Sequence, residues 1–422
     1  MTLPIRTDRQ LVRPDVHSVR YLTVHLSAPD SPERSDRVER LPLDIALVID
    51  ASGSMAGNKL ALAKEAALRF VAGLTARDRV ALVAFDTTVQ TLAPSALCDV
   101  EHRRRVIGAI DRIEAGSQTN LSGGWLTGCE AIARAISESS IARCLLLSDG
   151  QANEGITEHA QLEAHARELR ARGIVTSTFG IGEGFDERLM EGLARSGGGN
   201  FYYIDDASRI PEILASELGE ALEVIARNVE LVVDAPLGME ITSLDDRHTR
   251  VDGGRVRIAL NDVVARQETE LVLRVRFPQA ATGAELSLRA SLTDTDSVLR
   301  GYAGSVSWRV ASHEANDSQP RDVIVDRAVA VRYAAQARRE AAEFNRMGDL
   351  RAAREVLLAT AKRVRDYAFG DAELLAVIDE LERLANEHRR RFEGRELKRE
   401  RMTAYADRES KLFDGSRPRR SP

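Results

Sequence analysis

The chain has 422 residues, 43% of them hydrophobic, enough for two or three domains with cores of their own. Its 59 basic and 65 acidic residues leave a formal charge of −6, which argues against a whole-protein polyanion binder, so nucleic acid is not an expected partner. No membrane span is expected either, because the longest run without a charged side chain, Ala115 to Cys129, is rich in Gly, Ser and Thr.

The opening residues MTLPIRTDRQLVRPDVHS lack the apolar core of a secretory signal. Cys98, Cys129 and Cys144 show no paired spacing, so a cytoplasmic protein with reduced thiols is expected. Within residues 14–30 the run VRYLTVHLS alternates through Leu22, Val24 and Leu26, which is the period of a half-buried strand. With no core nearby, this strand is expected to join the β-domain that follows much later in the chain.

Residues 41–226 read as a wound α/β domain, in which short apolar runs alternate with amphipathic stretches. LDIALVI, RVALVAF, RCLLLS, GIVTSTFGI and NFYYI are near-continuous apolar runs, as strands covered on both faces should be. Helical stripes lie between them at Leu60 to Leu74, Val106 to Ile113, Leu162 to Leu169 and Ile210 to Ile225. The expected fold is α/β and Rossmann-like, with a mostly parallel six-stranded central sheet. Over 228–311 the period falls to two, through Val256 to Leu260, Leu271 to Phe277, Leu286 to Leu292 and Val306 to Val310. That pattern predicts an antiparallel β-sandwich into which the α/β domain is inserted.

Residues 322–392 read as three antiparallel helices, with Gly348-Asp349 and Gly370-Asp371 each ending one helix and capping the next. From His388 to Pro422 there are 12 basic and 6 acidic residues, and 393–422 is expected as a basic, partly disordered tail.

The chemistry concentrates at strand ends. Asp50, Ser52 and Ser54 alternate in the loop after the first wound strand, and carboxyl ends of such strands present ligand-binding groups. The loop Gly116 to Gly124 supplies Thr119, and RCLLLS delivers Asp149. These hard oxygen donors, with no His or thiolate among them, suit Mg²⁺ or Mn²⁺ and suit zinc poorly. Each could instead order its own loop or cap a helix. Asp86, Asn120 and Asn153 stand at neighbouring loop ends, where turn residues are common. Trp125, Cys129 and Cys144 read as core.

Asp-x-Ser-x-Ser at Asp50, Ser52 and Ser54, followed by Thr119 and Asp149, resembles the metal-ion-dependent adhesion site of a von Willebrand factor A domain, over roughly Leu41 to Ala226. The order of strand, inserted domain and β-domain is similar to that of bacterial and inter-α-trypsin-inhibitor-heavy-chain-like proteins of the superfamily. The resemblance implies that the hydroxyls of Ser52, Ser54 and Thr119 hold the cation directly. Asp50 and Asp149 would act through hydrogen bonds and bridging water. The cation would then be short of anionic ligands, and an Asp or Glu of a protein partner would complete it. The expected function is a non-enzymatic, metal-dependent interaction module, an adaptor or scaffold. The alternatives are a metal-dependent phosphohydrolase using Asp50 and a scaffold with a vestigial metal site. Phosphohydrolase chemistry wants an acid two residues after the nucleophile, where this chain has Ser52. The partner's identity and the oligomeric state are not encoded in these patterns.

Overall fold

The computed structural model describes residues 2–30, 40–137, 140–245 and 247–409. The described chain divides into two units, one made by residues 2–30 together with 225–409, the other by residues 40–224. Among the described residues no helix is long and apolar enough to cross a membrane.

The first unit begins with β1 (Ile5–Thr7), β2 (Leu11–Val12) and β3 (Val19–Ser27). In β3, Leu22, Val24 and Leu26 are buried, so the sequence alternation is the inward face of a strand.

The second unit runs β4 (Leu43–Asp50), α1 (Asn58–Gly73), β5 (Arg79–Phe85), β6 (Val89–Leu97), α2 (Val100–Asp111), α3 (Leu121–Ala133), β7 (Ile141–Ser148), α4 (His159–Ala171), β8 (Ile174–Ile181), α5 (Glu187–Gly197), β9 (Gly198–Ile204) and α6 (Ile210–Leu222). Its sheet has the order β6-β5-β4-β7-β8-β9, all parallel except β6, which pairs antiparallel with β5. The chain leaves β4 for β5 on one side and returns as β7 on the other, so the order reverses between β4 and β7. Ligands of open α/β sheets bind in the crevice at such a switch point.

The sixth strand is β6, an edge strand carrying Pro94 with one fully covered position, Ala93, which is why no apolar run announced it. The expected loop from Gly116 to Gly124 ends at Asn120, whose side chain caps α3 by accepting from the Gly123 amide at 3.0 Å. The glycines of α3 serve close packing. A methyl at Gly124 would stand 2.4 Å from the Phe85 ring, and one at Gly128 would stand 2.3 Å from Val48.

The first unit resumes with β10 (Val224–Asp234), β11 (Glu240–Ser243), β12 (Thr249–Asp252), β13 (Arg255–Val264), β14 (Glu268–Arg276), β15 (Glu285–Thr293) and β16 (Ala303–Val310). The helical stripe that reads on to Ile225 stops at Leu222, and the sandwich starts earlier than 228. One sheet has the order β1-β3-β14-β11 and the other β12-β13-β10-β15-β16-β2. β3 pairs antiparallel with β14 from Val19↔Arg276 to Ser27↔Glu268. The two sheets share one apolar core, in which the Phe277 and Trp308 rings meet edge to face at 4.9 Å.

The remaining helices are α7 (His313–Ser318), α8 (Val323–Met347), α9 (Leu350–Ala368), α10 (Ala372–Glu387) and α11 (Gly394–Glu409). Gly348, at φ 84°, ends α8, and Asp349 and Asp371 cap α9 and α10 through the amides of Ala352 and Leu374. Val325, Ala328 and Val329 of α8 pack on Val272 of β14, and Arg332 pairs with the buried Asp245 at 2.7 Å. Where a solvated, frayed and partly disordered helical tail was expected from residue 393, residues 394–409 form a packed helix. Met402, Ala404, Tyr405 and Ala406 are buried, and the ion pairs Arg338–Asp407 and Arg401–Glu343 tie α11 to α8. Residues 410–422 of the expected tail lie outside the described residues.

Candidate metal centre

Asp50 is the last residue of β4 and is fully buried. Its Oδ1 accepts the Ser52 amide at 2.8 Å, and its Oδ2 accepts the Ser148 hydroxyl at 2.5 Å from the end of the neighbouring strand β7. Burial pushes the Asp50 carboxyl above its ordinary value, the Ser148 and Ser52 hydrogen bonds oppose that, and the nearby charge of Asp149 adds to it.

From Asp50 the chain turns into a short 3₁₀ segment, Gly53–Met55, with Ser52 just ahead of it and Ser54 within it. The hydroxyls of Ser52 and Ser54 lie 3.1 Å apart, and Ser54 Oγ donates to Asp149 Oδ1 at 2.6 Å. Gly53 meets the Thr119 loop, its amide donating to the Ser117 carbonyl at 2.9 Å, and the Gly116 amide donates back to the Ala51 carbonyl.

Thr119 is held by its backbone. Its amide donates to Asn153 Oδ1 at 3.1 Å, and the Asn153 amide donates to its carbonyl at 3.4 Å. Its side chain faces Asp50 across Gly150, where a methyl group would stand 2.9 Å from Thr119 Oγ1 and 3.5 Å from Asp50 Oδ2. A side chain at Gly150 would therefore press on the Thr119 hydroxyl and stand against the Asp50 carboxylate.

All five expected residues therefore come together at the carboxyl ends of β4 and β7. Asp50, Ser52, Ser54 and Asp149 form one hydrogen-bonded chain, and the Thr119 hydroxyl lies beside it at Gly150. Among the described residues no cluster of three or more His, Cys, Asp or Glu is built for a metal, so the donor set here is two carboxylates and three hydroxyls. That set fits a hard divalent cation.

The neighbours are braces. Asp86 accepts from the Thr88 amide and hydroxyl, a local turn, and its carbonyl accepts the Asn120 amide. Trp125 is fully buried and donates to Thr176 Oγ1 at 3.2 Å, and Cys129 and Cys144 are buried, free thiols. Two residues escaped the sequence reading. Ser148 pins Asp50, and Lys59 of α1 reaches Asp149 Oδ2 with its ammonium. A lysine in the first turn of a helix, where the dipole disfavours it, was the available signal for the second.

Residues 44–216 match the von Willebrand factor type A domain family. The chain is 30% identical over 199 residues to protein YfbK of Escherichia coli, covering 46% of this chain and 34% of that protein. It is 26% identical over 245 residues to the rat (Rattus norvegicus) inter-alpha-trypsin inhibitor heavy chain H3, covering 56% of this chain and 26% of that one. It thus spans about a third or less of either relative's length. The von Willebrand factor type A structure from Catenulispora acidiphila superposes with a TM-score of 0.69 over 88% of both chains at 18% identity, a likeness of fold. Domains of this family are generally metal-dependent protein-interaction modules. Residues 44–216 of this chain are thus a von Willebrand factor type A domain.

Proposed function

We propose that the domain is a divalent-metal-dependent adaptor module whose cation, Mg²⁺ or Mn²⁺, is held by Asp50, Ser52, Ser54, Thr119 and Asp149 and takes an Asp or Glu carboxylate of a partner protein. The observation that carries the reading is the hydrogen-bonded chain from Asp50 through the Ser52 amide and from Ser52 Oγ through Ser54 Oγ to Asp149. It presents the hydroxyl oxygens together and commits the carboxylates to holding them. When bound, the metal supplies an electrophilic centre for an anionic ligand. Asp50 and Ser148 fix the floor of the site on rigid strands, and the loops carrying Thr119 and Asn153 shape its rim. Selectivity among partners falls to those loops, because one charged contact anchors an interface without specifying it.

Both Asp50 oxygens are engaged, and Ser52 fills the position a phosphohydrolase gives to its acid, so binding is favoured over phosphoryl transfer. The three buried, free cysteines support a reducing compartment, which we take to be the cytoplasm.

Titration calorimetry with Mg²⁺ and Mn²⁺ tests the site. Binding is expected in the wild type and lost in Asp50→Ala and Thr119→Ala while circular dichroism stays native; equal affinity in all three sinks the assignment. A pull-down in Mg²⁺ and in chelator, on wild type and Asp149→Ala, tests the partner. Capture that persists undiminished in chelator would move the binding surface elsewhere.

A further inference from the structure

Lys59 lies in the first turn of α1, and its ammonium bonds Asp149 Oδ2 and, at 3.3 Å, the Ser54 carbonyl. The other oxygen of Asp149 is taken by Ser54 Oγ. Asp149 is fully buried, whereas the Lys59 side chain is 34% exposed, so the ammonium covers the carboxylate from the solvent side. Gly182, at φ 71°, borders it, with space for a methyl no nearer than 3.5 Å to Lys59 Cε. The first turn of α1 contains no acid, so nothing in the helix itself pairs with this cation.

Asp50 and Asp149 together carry two negative charges, enough to balance a divalent ion unaided. With Lys59 hydrogen-bonded to Asp149 the protein supplies a net charge of minus one, and the loaded site is left with plus one. An incoming carboxylate restores neutrality. Without the lysine the loaded site would already be neutral, and the same carboxylate would make it negative.

We infer that Lys59, acting through Asp149, is a specificity-determining residue that makes metal binding and acidic-partner binding depend on each other. This deepens the metal-dependent reading above and rests on it. Linkage requires the coupling to be reciprocal: the acidic ligand strengthens metal binding by the factor by which the metal strengthens ligand binding. A lysine serving only to neutralise a buried acid would stabilise the fold and leave that coupling unchanged.

The test is calorimetric titration of the full chain with Mn²⁺, alone and in the presence of a short peptide with a single glutamate or its glutamine counterpart. In wild type and in Lys59→Arg the glutamate peptide should tighten Mn²⁺ binding about fivefold or more, and the glutamine peptide should not. In Lys59→Met, Mn²⁺ alone should bind about fivefold or more tightly than in wild type, with the glutamate effect lost. Lys59→Gln provides a second neutral variant if the methionine chain is unstable. Unchanged Mn²⁺ affinity and unchanged coupling in a folded neutral variant would overturn the inference while leaving the metal site standing. Asp50→Ala, run in parallel, separates the cases: Mn²⁺ uptake equal to wild type there, or no uptake by any chain, overturns the metal reading and this inference with it.

Discussion

Ser148 and Asp50 occupy the ends of adjacent parallel strands, and the Ser148 hydroxyl donates to Asp50 Oδ2 while also accepting the Gly150 amide at 3.2 Å. One hydroxyl thus sets the orientation of the buried acid and the path of the chain that follows Asp149. The carboxylate is thus held against rotation, while burial pushes its pKa above the ordinary value.

Ser148→Ala should lower Mg²⁺ or Mn²⁺ affinity about tenfold, the usual cost of removing a hydrogen bond that orients a metal-supporting group. The strand is buried on both faces and should stay folded. Calorimetry beside circular dichroism checks this, and wild-type affinity in the mutant would show that Asp50 holds its place without the serine.

Gly150→Ala forces a methyl to within 2.9 Å of Thr119 Oγ1. Thr119 is buried and β-branched, so it cannot swing away freely, and the hydroxyl should be pushed from the site. Metal affinity is expected to fall about tenfold, with a stability cost of about 1 kcal/mol. A mutant melting as wild type and binding metal equally well would mean that the Thr119 loop gives way.

Asp78 is a fixed point of the second unit, bonded to Arg40, to the Leu43 amide at 2.9 Å and to the Thr75 amide at 2.6 Å. Burial pushes its carboxyl up, but Arg40 and the Thr75 and Leu43 amides outweigh that and hold it below its ordinary 3.8. Its stabilisation is therefore present in full above pH 3.8 and lost as the pH falls through the lower native value. Asp78→Ala should cost about 3 kcal/mol at neutral pH. The gap between mutant and wild-type melts should close on acidification below 3.8, and a gap constant down to the lowest pH would remove the charge from the account.

Asn345 of α8 donates to His388 Nδ1 at 2.9 Å and to the Arg390 carbonyl at 3.0 Å, and it accepts the Phe392 amide at 2.8 Å. Because an amide nitrogen can only donate, His388 must accept there, which requires the neutral ring. Burial holds the imidazole below its ordinary 6.5, so its contribution is full above that value and lost as the pH falls below it. Hydrogen exchange over residues 388–405 should therefore quicken severalfold between pH 7.5 and 5.5, after correction for intrinsic rates. His388→Gln should abolish the pH dependence, and wild-type protection unchanged across that range would refute it.

The covered strands and the sandwich were legible in the sequence because burial imposes a period that each segment carries by itself. The Asp-x-Ser-x-Ser run was legible because its three oxygens share one loop. Local pattern could not place the start of α3, whose first glycines read as loop until Phe85 is brought against them. It could not show that the polar segment of α11 docks rather than frays in solvent, since that docking depends on Arg338 and Glu343 far upstream. The same holds inside the site. Which carboxylate Ser148 pins and which one Lys59 covers are pairings across roughly ninety to a hundred residues, set by placing β7 beside β4 and α1 over its end. A sequence reports what each residue needs to bury or to bond, whereas the partner that meets the need is chosen by strand order and packing, which only the tertiary structure decides.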